Sequence, residues 1–371
     1  MRVIGLIPAV ALLISVSAQS SQPTPSPTPA MTMTQLTSQQ DWTRAESVLL
    51  RNIWDCQTCS DSTTVLETLG RICIYLHKAP MAMEWLEQLR EFTQSSPDQR
   101  ARIDARLHLL HRIYLPDTAY NHDPRFHLTG IDLESPVDIQ ITADNRLIVM
   151  DRYRLIQLVE NPDGVHRPVP PTSALPDDSR SLQLVDGEPV VVTQYGFWKQ
   201  NRLNHFGNQD ELTRIIDAVF TAHSTWLVLD RRHAQMLQFT ADGTRIDTLQ
   251  IPPLNGNERL LAGHIGGNWL MKPESRQILF MGSGLPVTIP FQGPGYALDD
   301  PIDLATDWFG HLYVLCSDHT VTIFSPQGVR LRHIHLDPGR GIIREAHAIA
   351  VGSDGRIFIA DRKKHAIVCF R

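Results

Sequence analysis

The chain is poor in net positive charge, in cysteine and in long apolar runs, and each shortfall narrows what it can do. Its 371 residues carry 34 Lys and Arg against 40 Asp and Glu, a net charge of −6. The basic residues are interspersed with acidic ones, so a nucleic-acid partner is not expected. The one cationic triplet, Arg362-Lys363-Lys364, suits a solvated turn. Nowhere is there a Gly-x-Ser-x-Gly elbow, a P-loop or a His-Glu-x-x-His zinc signature, so the best-known nucleophile, phosphate and zinc motifs are missing.

Cysteines number 5, and an odd count leaves at least one unpaired or intermolecular. Cys56, Cys59 and Cys73 lie close together, and a disulfide among them is the expectation, with free thiols or a redox pair as alternatives. No His follows Cys59, which argues against haem attachment. There is no second C-x-x-C, which weakens zinc. Cys316 and Cys369 fall inside β signals and suit small buried hydrophobes.

At the N-terminus, Arg2 precedes an apolar run from Val3 to Val16 that ends in Val16-Ser17-Ala18. That run is short for a membrane span. A short positive region, a modest apolar segment and small residues describe a secretory signal peptide over 1–18. Export to the periplasm, the cell envelope or the exterior follows as the expectation, with an uncleaved N-terminal anchor as the only membrane attachment. Residues 19–37 alternate Pro with Ser and Thr and suit a hydrated, extended tether.

From 38 to 117 the pattern is helical. Ser38-Gln39-Gln40-Asp41 suits a capping box, and Trp42, Ala45, Leu49 and Ile53 then recur at helical spacing. A second helix carries Val65, Leu69, Ile72 and Leu76, and a third Trp85, Leu86, Leu89 and Phe92. A fourth opens at Ser96-Pro97 and closes before Pro116. These helices can form a small bundle or lie as hairpins on the rest of the chain. Arg100, Arg102, Arg106 and Arg112 on the last helix suit a solvated face.

Beyond Pro124 short strands replace helices, and the last stretch shows the unit. EAHAIAVGSDGRIFIADRKKHAIVCFR, from Glu345, holds three strand signals with tight polar turns. Clear copies start at Ser135, Arg214 and Asp300, and weaker ones at Ser181 and Arg259. A repeat of about 40 residues with three or four strands per unit is the mark of a β-propeller. The expected fold is mainly β, a six-bladed propeller over 125–371 behind the small all-α segment. The final unit stops after three strands, and Arg125–Leu133 is expected to complete it and close the ring.

The openings Pro136-Val137-Asp138-Ile139 and Pro301-Ile302-Asp303-Leu304 resemble the NHL repeat, as do the strand ends Val149-Met150-Asp151, Val228-Leu229-Asp230 and Ile359-Ala360-Asp361. That resemblance implies the propeller fold without choosing among enzyme, ligand binder and scaffold. The last unit is also similar to a repeat of the peptidyl-hydroxyglycine lyase propeller, which places a zinc-ligating His where His347 stands. The matching positions here are Val137, Ile216 and Ile302, so the other two zinc ligands of that family are not supplied.

Two residue sets are candidates for function. Asp138, Asp217 and Asp303 occupy one place in the innermost strand, with His347 one position earlier in its unit. They can hold calcium at the channel mouth, or cap backbone amides between blades. Asp151-Arg152, Asp230-Arg231 and Asp361-Arg362 repeat after the second strand. Their aspartates suit turn amides, and Arg152, Arg231 and Arg362 suit an anion- or peptide-binding face. The expected function is a scaffold that binds a peptide, protein or glycan on one propeller face, with Tyr153, Tyr195, Phe197, Trp198 and Trp308 as candidate contacts. The alternative is a metal-dependent hydrolase or lyase at the channel mouth.

Overall fold

The computed structural model describes residues 41–371 except 56–61, 93–96, 116–118, 129–131, 143, 161–164, 208–213, 252–253, 255, 264–266, 283–286, 338 and 340. The expected signal segment and tether, Ser38, Ser96, Cys56 and Cys59 lie outside the described residues. Four helices come first: α1 (Trp42–Asp55), α2 (Ser62–Tyr75), α3 (Ala79–Phe92) and α4 (Pro97–Tyr114). Asp41 starts α1, its Oδ1 accepting from the Arg44 amide at 3.2 Å. Consecutive helices pack on one another through buried Ala45, Leu69, Leu86 and Leu110.

Six blades follow, with innermost strands Pro136–Ile141, Ser179–Val185, Ile215–Phe220, Arg259–Ala262, Pro301–Thr306 and Ala346–Val351. Within each blade the strands run antiparallel in sequence order. The second strands of blades 1, 5 and 6, Leu147–Asp151, Leu312–Cys316 and Ile357–Asp361, are buried at every residue. Their unbroken apolar runs have this cause, because a neighbouring blade covers each face of the sheet. Aromatic residues fill the wider gaps. Phe197 stacks 5.0 Å from Trp226 across blades 2 and 3.

Ring closure differs from the expectation. Blade 6 keeps three strands of its own, and residues 121–123 supply the fourth. The Asn121 amide donates to the Arg371 carbonyl at 2.9 Å, the Arg371 amide returns the bond at 2.9 Å, and the Asp123 amide reaches the Cys369 carbonyl at 2.9 Å. His127–Leu128 instead pairs in parallel with the outer strand of blade 1. Residues 125–128 and 132–133 therefore lie by the seam between blades 6 and 1. Phe126 meets Phe358 at 5.4 Å, and Leu133 joins the core shared by both blades.

The helices are part of the same core as blades 5 and 6. They cover the turn that follows each innermost strand there. Gly355 (φ +79°) lets the blade 6 turn approach the Leu109 backbone, where an added Cβ would lie 3.2 Å away. Trp308 of the blade 5 turn lies under two guanidinium groups, Arg106 at 3.6 Å and Arg71 at 4.5 Å from the ring centre. Arg71 also donates to the Trp308 carbonyl at 2.9 Å. The expected solvated arginine face of α4 is thus only half realised. Arg100 and Arg102 are exposed, whereas Arg106 turns inward and pairs with Glu67 at 2.6 Å. No described helix is long and apolar enough to cross a membrane.

Candidate functional site at the channel axis

Strand register places six residues at one level of the channel. Asp138 faces Met150, Ser181 faces Val192, Arg259 faces Met271, Asp303 faces Leu315 and Ala348 faces Ala360. Asp217 stands at the same step in blade 3, just before Ala218. The ring thus runs Asp, Ser, Asp, Arg, Asp, Ala from blade 1 to blade 6. Blades 1, 3 and 5 supply the carboxylates, and Arg259 of blade 4 faces them.

Each aspartate ties its blade to the next. The Leu182 amide of blade 2 donates to Asp138 Oδ2 at 2.7 Å, and Ile139 donates to Oδ1 at 2.7 Å. Asp217 Oδ2 accepts from Leu260 of blade 4 at 2.9 Å, while Oδ1 takes the Ala218 amide at 2.9 Å and the Ser181 hydroxyl at 2.6 Å. Asp303 Oδ2 accepts from Ile349 of blade 6 at 2.8 Å, and the Leu304 amide also bonds this carboxyl.

Burial pushes the Asp138 carboxyl upward, and the Asp303 charge adds to it. Burial raises Asp303 and Asp217 as well. The same burial opposes the Arg259 charge, but Asp217, Asp303 and Asp138 outweigh it and hold the guanidinium firmly protonated.

The four residues singled out for the channel do come together. Asp138, Asp217, Asp303 and His347 line one constriction of about 20 Å³, with Arg259 among them. They do not make a calcium site. Their carboxylate oxygens are engaged by backbone amides, and a guanidinium shares the ring, so no calcium chemistry is derived from them. Among the described residues no group of three or more His, Cys, Asp or Glu is placed to hold a metal. Burial, followed by the charges of Arg259 and Arg362, depresses the His347 pKa, so its imidazole is neutral at pH 7.

Above the constriction the channel widens to a cavity of about 620 Å³, within the usual size of a ligand pocket. Its wall alternates. Val137, Ile216 and Ile302 come from the odd-numbered blades, while Arg180 and His347 come from even-numbered ones. Arg152 and Tyr153 form part of the rim. Arg259 reaches both the constriction and the cavity.

The repeated Asp-Arg pairs divide their roles. Asp151 accepts from the Glu134 and Ser135 amides at 3.0 and 2.6 Å, and Asp361 from Arg344 and Lys364 at 2.6 and 2.9 Å. Asp230 holds its own turn through the Arg232 amide at 3.2 Å and His233 Nδ1 at 2.5 Å. The arginines differ among themselves. Arg152 lines the cavity, Arg231 packs on the rim residue Gly256, and Arg362 pairs with Glu345.

Other candidates settle elsewhere. Tyr153 and Tyr195 are exposed at 43% and 47%. Phe197 is buried between blades, Trp198 is half-buried, and Trp308 is covered by the helices. Cys73 is a free thiol in the helical core, and Cys56 and Cys59 lie outside the described residues. Arg259 and Arg180 were missed as site residues. Arg259 heads one of the two weaker repeat copies, where an Arg replaces the aspartate of the clear copies. Aligning that copy onto the Asp position is the signal that would have found it.

Residues 344–370, which form blade 6 and the turn leading into it, match the family model described as the NHL repeat. The chain is a six-bladed β-propeller whose last blade matches the NHL repeat. No curated protein matches it in sequence. Among solved structures, a streptogramin B lyase superposes with a TM-score of 0.46 at 12% identity, covering 68% of this chain and 97% of its own. A gluconolactonase from Xanthomonas campestris gives 0.47 at 15% identity, covering 64% and 86%. A protein of unknown function from Bacteroides thetaiotaomicron gives 0.49 at 10% identity, covering 65% and 70%. The level that carries His347 holds Val137, Arg180, Ile216, Glu258 and Ile302 in the other blades, so the three-histidine zinc arrangement of the hydroxyglycine lyases is not formed.

Proposed function

We propose that this propeller is a binding module that receives part of a peptide, protein or glycan partner in the axial cavity. The observation that carries this reading is the separation of the two ends. The innermost strand of blade 5 is 6 residues long, or roughly 20 Å. It runs from Pro301 at the cavity to the turn covered by α2 and α4. At one end the turns of blades 5 and 6 are covered by the chain's own helices, and the other end presents an open cavity lined by residues from several blades. Such a mouth suits recognition. The N-terminal pattern over 2–18 supports placing this binding outside the cytoplasm.

The test is site-directed photo-cross-linking. A photoreactive residue at Tyr153, on the cavity rim, should trap a partner in the extracytoplasmic fraction. The same residue at the exposed Glu87 of α3 should not. Adducts from Glu87 alone would move the binding surface to the helices.

A further inference from the structure

Arg259 is the residue whose chemistry the fold leaves open. Among the described residues its guanidinium has no hydrogen-bonded partner and no ion pair at contact distance. The three aspartates that stabilise its charge have their oxygens engaged by amides. A guanidinium carries five donors in a planar fork that matches a carboxylate bidentately. Arg180, one blade-pair away at the cavity wall, is exposed and bonds only Gln194, at 3.3 Å.

The shape of the space adds two constraints. The cavity narrows from about 620 Å³ to a constriction of about 20 Å³, so a ligand enters end-on and stops. Between the cations stand Val137, Ile216 and Ile302, which would seat an apolar group and leave sugar hydroxyls without partners. An end group that is anionic and next to an apolar body is what this pocket complements.

We propose that the cavity captures the C-terminal carboxylate of a partner chain ending in an apolar residue. Arg259 and Arg180 grip the carboxylate, and Val137, Ile216 and Ile302 seat the final side chain. This deepens the cavity-binding reading and rests on it. A positively charged terminus is disfavoured because Arg152, Arg180 and Arg259 outnumber Asp177 and Asp300 on the cavity wall. Free carboxylic acids share the same chemistry, and the experiment separates them from chain ends.

The experiment is fluorescence polarisation on the full chain with a dye-labelled tetrapeptide ending in leucine. It is run as the free acid, as the C-terminal amide and with lysine last. The free acid should bind, and the amide and lysine forms should bind at least ~10-fold more weakly. Arg259→Met and Arg180→Gln should each reduce acid binding to the level of the amide. Arg180→Gln keeps the test decisive if the Arg259 variant misfolds, since Arg180 is exposed.

Equal binding of acid and amide, no binding at about 1 mM, or an unchanged Arg180→Gln protein would overturn the proposal. Hexanoate competing as well as the peptide would overturn the chain-terminus source in favour of small acids. If cross-linking from Tyr153 persists while the peptide fails, only this inference falls and the cavity-binding reading stands.

Discussion

At the scale of single residues, the aspartate ring holds the propeller together. Asp217 receives three donors, one of them from the next blade and one from Ser181 of the blade before. Asp217→Ala strands those buried donors and should cost about 3 kcal/mol. Asp242→Ala, in an exposed turn, should stay within about 0.5 kcal/mol. Chemical denaturation of the two variants checks the contrast.

The buried carboxyls also give a pH dependence with a definite sign. The folded pKa values of Asp138 and Asp303 are raised by burial, with the charge of Asp303 adding at Asp138 and that of Asp217 at Asp303. Their contribution to stability is complete below the unfolded aspartate value of about 3.9 and is lost as pH rises through the raised values. Asp138→Asn removes one of these groups, so its melting temperature should fall less than that of the parent between pH 5 and pH 8. A steeper fall in the variant would contradict the assignment.

These aspartates were legible in the sequence because the clear repeats place them in register. Their job was not, because the same spacing serves a cation site or a set of amide ties. The amide bonds that cross between blades, from Leu182 to Asp138, Leu260 to Asp217 and Ile349 to Asp303, favour the ties. Arg259 was hidden for the opposite reason. It breaks the pattern that made its neighbours visible.

At the scale of elements, the joint between helices and propeller centres on Trp308. Its ring is clamped by Arg71 and Arg106, and close by His311 Nδ1 meets Asp307 at 2.8 Å and His311 Nε2 meets the Tyr114 hydroxyl at 2.9 Å. Trp308→Ala should cost about 3 kcal/mol and expose α2 to α4 to limited proteolysis before the blades are cut. Helical periodicity located each of the four helices. It could not say that Trp308 is their seat, since an aromatic in a turn is equally suited to an external partner. The inward turn of Arg106 was likewise invisible, because helix-face arguments use only contacts made within the helix.

At the scale of the molecule, a ring of blades is only as stable as its closure. Residues 121–123 give blade 6 its outer edge, and Arg356 bridges to Glu160 of blade 1 at 2.7 and 2.9 Å. Asp123→Pro removes the amide that reaches Cys369 and leaves an open sheet edge. Its final blade should exchange amide hydrogens faster than blades 2 to 4, as mass spectrometry would show. The six-blade count was readable from the period, and the need for a clasp from the three-strand final unit. Which residues clasp was not, because Arg125–Leu133 and residues 121–123 offer similar edge strands and only packing at the seam distinguishes them.

The same whole-molecule view carries the functional claim, since the helices cover turns of blades 5 and 6 at one end and the cavity opens at the other. The most direct test compares photo-cross-linking from Tyr153 in the parent protein and in Arg180→Glu, where the cavity wall changes charge while the rim residue stays in place. The account predicts a partner adduct in the parent that disappears in Arg180→Glu. An adduct of equal yield in both proteins, or one formed only from Glu87 on α3, would contradict it.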